Sequence, residues 1–168
     1  MTNYTYSDVA DYLKLLATKH VDIAHTTDLP RFFASWDEAM EKKANIKQNL
    51  TKAIMIVDEL DVRGVGSHND NNHRERTIAV FVLKMCLKKD FPSIDTIANE
   101  CEQIQSEIIG RIRNDQEDMS VNNIASQFIT NGYTAERVGP LFDNWYGYMF
   151  EHRIQHNVDL EYNAAKWL

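Results

Sequence analysis

The residues of this chain best suited to hold a metal ion are two histidines near its end. His152 and His156 are four residues apart, a spacing that places two imidazole ligands on one face of an α-helix. With a carboxylate such as that of Asp58, they would supply the ligands of a small metal-dependent enzyme. The sequence H-R-I-Q-H lacks the glutamate of a metalloprotease helix, however, and the residues around it alternate as in a strand. The competing interpretation places both histidines at the rim of a core, and we expect no metal and no cofactor.

A second group of polar side chains lies in a long hairpin loop predicted at about 64–76. His68, Asp70 and His73 could chelate an ion there, but ordering an isolated loop costs conformational entropy, so a mobile hairpin tip is the alternative. The loop ends in His73-Arg74-Glu75-Arg76, a basic patch in a chain whose formal net charge is −7. We interpret this patch as a contact for an acidic partner surface rather than for DNA.

Motifs for nucleophilic catalysis and phosphate binding are absent from the sequence. It contains no G-x-S-x-G, G-x-x-x-x-G-K-[ST] or G-x-G-x-x-G. Cys86 and Cys101 lie in apolar segments outside any C-x-x-C pair. Asp58, Glu59 and Asp61 could do acid–base work, or they could form the solvated end of a strand. The sequence therefore predicts a protein that is not an enzyme.

Size and composition predict one globular domain covering residues 1–168. Hydrophobic residues make up 43% of the chain and charged residues 26%, as in ordinary soluble proteins. The acidic balance disfavours non-specific binding to nucleic acid. The start of the sequence lacks the pattern of a signal peptide, and no run approaches the ~20 apolar residues of a membrane span. We expect a protein made and kept in a cytoplasm, or in a particle assembled there.

The first half of the chain predicts two helices followed by a hairpin. Apolar residues at spacings of three and four indicate a helix from Ser7 to Lys19. Ser35 is a suitable cap for a short helix that runs to about Ile46. Alternating apolar residues then predict strands at Ala53–Val65 and Glu75–Leu87, joined as an antiparallel hairpin. Within the first of these strands, we expect the two residues after the acidic cluster, Leu60 and Val62, to share a face with Ile54 and Ile56.

The second half predicts a long helix and two more strands. Ser93 is a suitable cap for a helix at about 93–114, along which isoleucines step by three or four. A short strand or helical turn is expected at Ile124–Ile129, before the turn residues Asn131-Gly132. The predicted fold class is therefore α+β: a two-layer sandwich with a mostly antiparallel sheet of about four strands and the long helix on one face.

The last strand carries aromatic residues on both faces. Tyr146, Tyr148 and Phe150 alternate with Trp145 and Met149. We expect the first set to face the long helix. The second set, with nothing predicted to cover it, is expected to meet a partner. Trp145→Ala should then weaken assembly more than folding.

The C-terminal extension, about 157–168, is predicted to contribute to the same interface. It carries a second apolar set and ends near Trp167, and tryptophan is a frequent anchor of protein interfaces.

The order of segments resembles that of small phage neck and tail-completion (tail-terminator-like) proteins, in particular a group from phages and prophages of Bacteroides-like bacteria. The likeness covers nearly the whole chain and rests on segment order more than on any single motif. Its elements are Phe32-Phe33 before the short acidic helix, the apolar strand, the polar hairpin loop, the second strand Thr77–Leu87, the helix ending E-I-I-G-R-I-R-N-D at 107–115, the strand starting D-N-W-Y-G-Y at 143–148, and Trp167.

This resemblance implies a structural virion protein without enzymatic activity. It would form a homo-oligomeric ring at the head–tail (neck) junction or the head-proximal end of a tail, assembled in the bacterial cytoplasm. The ring would contact portal, neck or tail proteins, with DNA passing nearby but no sequence-specific nucleic-acid binding and no membrane contact. The extension past Asn157 departs from part of the family and leaves open whether the ring is a terminator or another connector. The alternatives are the small metal-dependent enzyme and a host-side adaptor that binds one partner.

Overall fold

The structure, a computed structural model, describes residues 4–42, 46, 51–65, 73–87, 90–118 and 124–157. The tip of the predicted loop, residues 66–72, and residues 158–168 of the predicted extension lie outside this range. The elements are helices α1 (Tyr6–Lys19), α2 (Trp36–Glu41) and α3 (Phe91–Glu117), a 3-10 turn (Ala125–Gln127), and strands β1 (Phe32–Phe33), β2 (Ile54–Val65), β3 (His73–Met85), β4 (Phe128–Leu141) and β5 (Trp145–Asn157).

The five strands form one mixed sheet in the order β1-β2-β3-β5-β4. The two-residue β1 runs parallel to β2, and the other neighbours are antiparallel. At the centre, β3 pairs with β5 along its whole length, from Met85 opposite Trp145 to His73 opposite Asn157. With helices packed on this sheet, the predicted α+β sandwich with a mostly antiparallel sheet is confirmed.

The larger core lies between one face of the sheet and helices α1 and α3. The predicted stripe of α3 faces it, with Cys101, Ile104, Ile108 and Ile112 buried against the sheet. The helix begins earlier than predicted because Asp90, not Ser93, caps it: Asp90 Oδ1 accepts a hydrogen bond from the Ser93 N–H at 2.8 Å. Pro92 fits the first turn, whose N–H groups have no partner within the helix.

A second apolar cluster lies on the opposite face of the sheet. It is covered by α2, by Ile46 and by the turn between β4 and β5, and the Trp36 ring stacks on Phe81 at 4.9 Å between centroids. Its fully or largely buried members are Phe33, Ala39, Ile46, Ile54, Ile56, Leu83, Phe142 and Trp145. The chain thus covers part of both faces itself.

Two hydrogen-bonded tyrosines join the helices to the rest of the fold. The Tyr12 hydroxyl donates to Asp115 Oδ2 at 3.0 Å and so connects α1 to α3. Within α3, Arg111 Nε lies 2.8 Å from the other oxygen of Asp115. The Tyr6 hydroxyl lies 2.6 Å from the carbonyl of Ala34 and 3.1 Å from that of Val57. Burial, with nearby Asp58 contributing, raises the pKa of Tyr6 to about 12.

The pairing register shifts within β2 and within β4, and the shift in β2 makes one strand prediction wrong. Leu60 is an extra residue of β2, because Glu59 pairs with Ile78 and Asp61 with Thr77. Val62 therefore lies opposite Arg76, on the face away from Ile54 and Ile56, and the predicted single face fails beyond the bulge. In β4, residues 130–133 stand between Ile129 and Thr134, while β5 advances only from 153 to 151.

Both predicted loops next to these strands are shorter than expected. The residues predicted as a turn at 131–132 belong to β4, with Gly132 at a positive φ of 77°. Residues 73–74, predicted as loop alone, are strand, and so are 64–65 and 75–76, which the predicted loop and the predicted strands shared.

Candidate functional site

The outer half of the β2–β3 hairpin, here called the arm (residues 59–65 and 73–77), exposes its β2 strand to solvent. Residues 54–57 of β2 are buried, whereas 59–64 are exposed. Two apolar side chains of the arm, Leu60 and Val62, are 50% and 41% exposed. β1 pairs only with Met55 and Ile56. From Val57 outward, no strand in the described part of the chain pairs with the outer edge of β2.

A buried polar joint holds the arm to the rest of the sheet. Arg76 is 7% exposed and forms an ion pair with Glu59 across the hairpin. His156 of β5 lies opposite Arg74, and the Tyr4 ring meets it edge-on at 6.4 Å. Burial lowers the pKa of His156, and the charges of Arg76 and Arg74 lower it further. The contacts of this joint connect the β2 and β3 strands of the arm to β5.

The structure brings only some of the predicted interface residues together. His73 and Arg74 lie half-buried in β3, within the arm. Arg76 is buried, so the prediction that it contacts a partner at the surface was wrong; it pairs with Glu59 of the same chain. His68, Asp70 and Trp167 lie outside the described residues.

The aromatic interface predicted on β5 was partly wrong. Trp145 and Met149 share the face opposite α3, as their alternation predicts. Trp145 is nevertheless fully buried, packed in the second cluster with Phe33, Leu83 and Phe142 of its own chain. The sequence predicted that a partner protein covers Trp145, whereas α2 and the β4–β5 turn of the same chain cover this face. Met149 is half-buried.

The histidine pair that the sequence offered as an alternative metal site does not come together in space. His152 and His156 lie on β5, where four residues span about 13 Å at the usual rise of a strand. His152 is held by the side-chain amide of Gln105 at 2.8 Å, and burial lowers its pKa to about 4. Asp58 pairs with Ala79 and lies on the opposite face of the sheet. Of the two interpretations, the geometry favours histidines that are part of the core.

A different group, which the sequence did not indicate, does bring ligand atoms together. His20, Asp22 and Glu107 each place one such atom within 4.8 Å of the others. His20 Nε2 lies 3.0 Å from Glu107 Oε2. His20 and Asp22 follow α1 and Glu107 lies in the middle of α3, 87 residues from His20. No local spacing could reveal this cluster, since it depends on how the two helices pack.

Comparison of the chain with models of protein families and with curated proteins finds no match. Within the described ranges, no helix combines the length and the apolar character needed to cross a membrane.

Proposed function

We propose that this chain is a structural interaction protein that assembles with further copies of itself through the arm. In its specific form, the proposal is a ring subunit of a phage virion, at the head–tail (neck) junction or the head-proximal end of the tail. Adjacent portal, neck or tail proteins would be its other partners.

The observation that carries the proposal is the pairing of exposed apolar side chains with a free strand edge. Leu60 and Val62 project from the arm next to the outer edge of β2, which is free of strand partners beyond Ile56 in the described structure. Unpaired backbone N–H and C=O groups on such an edge can accept another strand, and nearby apolar side chains add buried area. The arm therefore offers both backbone and side-chain contacts to a partner.

The two edges of the sheet differ, which favours a ring over a two-fold dimer. One edge is formed by β1 and the outer part of β2, and the other by β4, which is exposed along most of its length. A contact between two different surfaces of one subunit repeats head to tail and closes into a ring when the rotation allows it. Charged residues such as Asp61 and Arg63, 3.0 Å apart on the arm, limit indiscriminate pairing of an open edge.

Sedimentation velocity over the micromolar range, with variants of the arm, tests the proposal. Wild-type protein should sediment as a defined oligomer, and the double variant Leu60→Asp/Val62→Asp should sediment as a monomer. Its melting temperature should stay within a few degrees of wild type, because both side chains are exposed and charge there costs little on folding.

The matched control is Leu29→Asp/Leu15→Asp, whose side chains are 49% and 43% exposed away from the arm. This control should remain oligomeric. An arm variant that assembles like wild type would contradict the role of the arm. A wild-type monomer, together with absence of the protein from particles released by the strain that encodes it, would refute the virion ring. Neighbouring genes for portal, capsid or tail proteins would separate the ring from a host-side adaptor.

A further inference from the structure

We propose that His20, Asp22 and Glu107 form a binding site for a divalent transition-metal cation of the zinc class. The site lies where the loop after α1 meets the middle of α3. It goes beyond the proposed function, since it concerns a ligand and a surface remote in sequence from the arm.

The three side chains need only small movements to coordinate one ion. Bonds of about 2.1 Å in tetrahedral geometry separate the ligand atoms by about 3.4 Å. His20 Nε2 and Glu107 Oε2, now 3.0 Å apart, would move apart by a few tenths of an ångström. The Asp22 carboxylate, at most 4.8 Å from the other two ligand atoms, would approach by at most about 1.4 Å. Rotation of this exposed side chain covers that distance.

The backbone that carries two of the ligands is already fixed. The carbonyl of His20 accepts a hydrogen bond from the Ala24 N–H at 2.6 Å, and the carbonyl of Asp22 accepts one from the Ala53 N–H at 2.9 Å. Ile23, directly after Asp22, is completely buried. A loop held in this way loses little further entropy when it binds an ion.

The third ligand has a supporting hydrogen bond of the kind that orients metal-binding carboxylates. Gln103, one turn earlier on α3, donates from Nε2 to Glu107 Oε1 at 2.8 Å and leaves Oε2 directed at His20. The Glu107 carboxylate is thus already oriented towards His20 by a contact within its own helix.

The donor set selects the class of cation. One imidazole and two carboxylates suit Zn²⁺, Co²⁺ or Ni²⁺, whereas Ca²⁺ and Mg²⁺ prefer oxygen ligands alone. Three protein ligands leave a fourth position open. A cleft of about 540 Å³ borders both Asp22 and Glu107 and is lined further by polar side chains including Lys84 and Asn99. Water or a small anion from this cleft would complete the coordination.

The orientation of the His20 ring decides which nitrogen would bind the cation. The Asp22 N–H donates a hydrogen bond to His20 Nδ1 at 3.2 Å, and His20 Nε2 faces Glu107. Nε2 is therefore the ring nitrogen in position to bind the ion.

Titration of the full chain with Co²⁺ tests the proposal, because cobalt reports its coordination by visible absorption. We expect one ion per chain and the spectrum of a four- or five-coordinate site. Glu107→Gln should weaken binding at least ~tenfold. Glu102→Gln, which changes another exposed glutamate of α3 outside the cluster, should leave the affinity unchanged, and Zn²⁺ should displace Co²⁺ from both wild type and this control.

Two results would overturn the site. One is binding below one ion per chain with a six-coordinate aqueous spectrum, which indicates an adventitious ion only. The other is equal affinity for Glu107→Gln and Glu102→Gln. Both variants change exposed side chains of a long helix, so folding does not limit the comparison. Because the readout is cobalt coordination, it is independent of whether the chain assembles through its arm.

Discussion

Trp145 is the largest of the completely buried side chains in the described structure. It belongs to the second apolar cluster, whose other buried members, among them Phe33, Leu83 and Phe142, come from separate parts of the chain. No hydrogen-bond partner for its indole N–H is found among the described residues. Its contribution to stability therefore rests on packing, and its removal leaves a cavity that its neighbours can fill only in part.

Trp145→Ala should lower the free energy of unfolding by about 3–5 kcal/mol, the range for large aromatic residues in a core. Urea denaturation followed by far-UV circular dichroism measures the loss. The expectation from the sequence, that assembly suffers more than folding, is replaced by this one because the indole is not at the surface.

Met149→Ala is the matched control, since Met149 lies on the same face of β5 but is only half-buried. It should cost clearly less than Trp145→Ala. Equal losses for the two variants, or wild-type stability for Trp145→Ala, would show that the second cluster does not pack as described.

Single residues show that a sequence pattern predicts which face of the sheet a side chain lies on, but not whether it is buried. The alternation along β5 correctly separated Trp145 from Tyr148 and Phe150, because a strand has a period of two. It could not say what covers each face. The same holds for Arg76. Its charge predicted a contact at the surface, but Arg76 is buried opposite Val62, where it forms an ion pair with Glu59. The period determines the face, and tertiary packing determines the burial.

At the scale of elements, strong periodicity predicted the helices and central strands well. The apolar residues of α3 repeat over several helical turns, and the apolar residues of β3 repeat over several residue pairs. A single residue that breaks such a pattern does not change the predicted element. The bulges in β2 and β4 could not be predicted in this way. A bulge adds one residue to a strand and leaves no mark in its composition. Every side chain after the bulge then lies on the opposite face of the sheet. Val62 was assigned to the wrong face for this reason.

The start of α3 gives a test at this scale. Asp90→Ala should destabilise the protein by about 1 kcal/mol, because the Asp90 carboxylate satisfies the free N–H of Ser93 in the first turn. Ser93→Ala should cost much less, since here it is the backbone of Ser93 and not its hydroxyl that takes part in the cap. Thermal unfolding of both variants measures the difference. If Ser93→Ala lowered the stability more than Asp90→Ala, Ser93 and not Asp90 would be the cap.

For the whole molecule, the main feature that the sequence did not predict is that the chain itself covers part of both faces of the sheet. The second layer is made of short pieces, α2, Ile46 and the β4–β5 turn, none of which is periodic enough to identify as a covering layer. The cluster of His20, Asp22 and Glu107 arises in the same way, from the packing of α3 against the loop after α1. Sequence patterns therefore predicted the class of fold, while sites made of distant residues required the three-dimensional arrangement.

Buried histidines make the free energy of unfolding depend on pH. Burial lowers the pKa values of His25, His152 and His156, and for His152 the folded value is about 4 against 6.5 for the free group. Between these two values, the unfolded chain binds a proton at His152 that the folded chain does not. The contribution of His152 to stability therefore decreases as the pH is lowered from 6.5 towards 4, by roughly 3 kcal/mol at pH 4.

His152→Gln tests this argument, because glutamine keeps a polar partner for Gln105 but does not titrate. Urea denaturation of wild type and variant, repeated from pH 7 to pH 4, gives two stability curves. Carboxylates and the other histidines are common to both proteins, so they cancel in the difference. The wild-type advantage at pH 7 should shrink by roughly 3 kcal/mol as the pH reaches 4. A difference that stays constant over this range would mean that His152 is not buried in its neutral form.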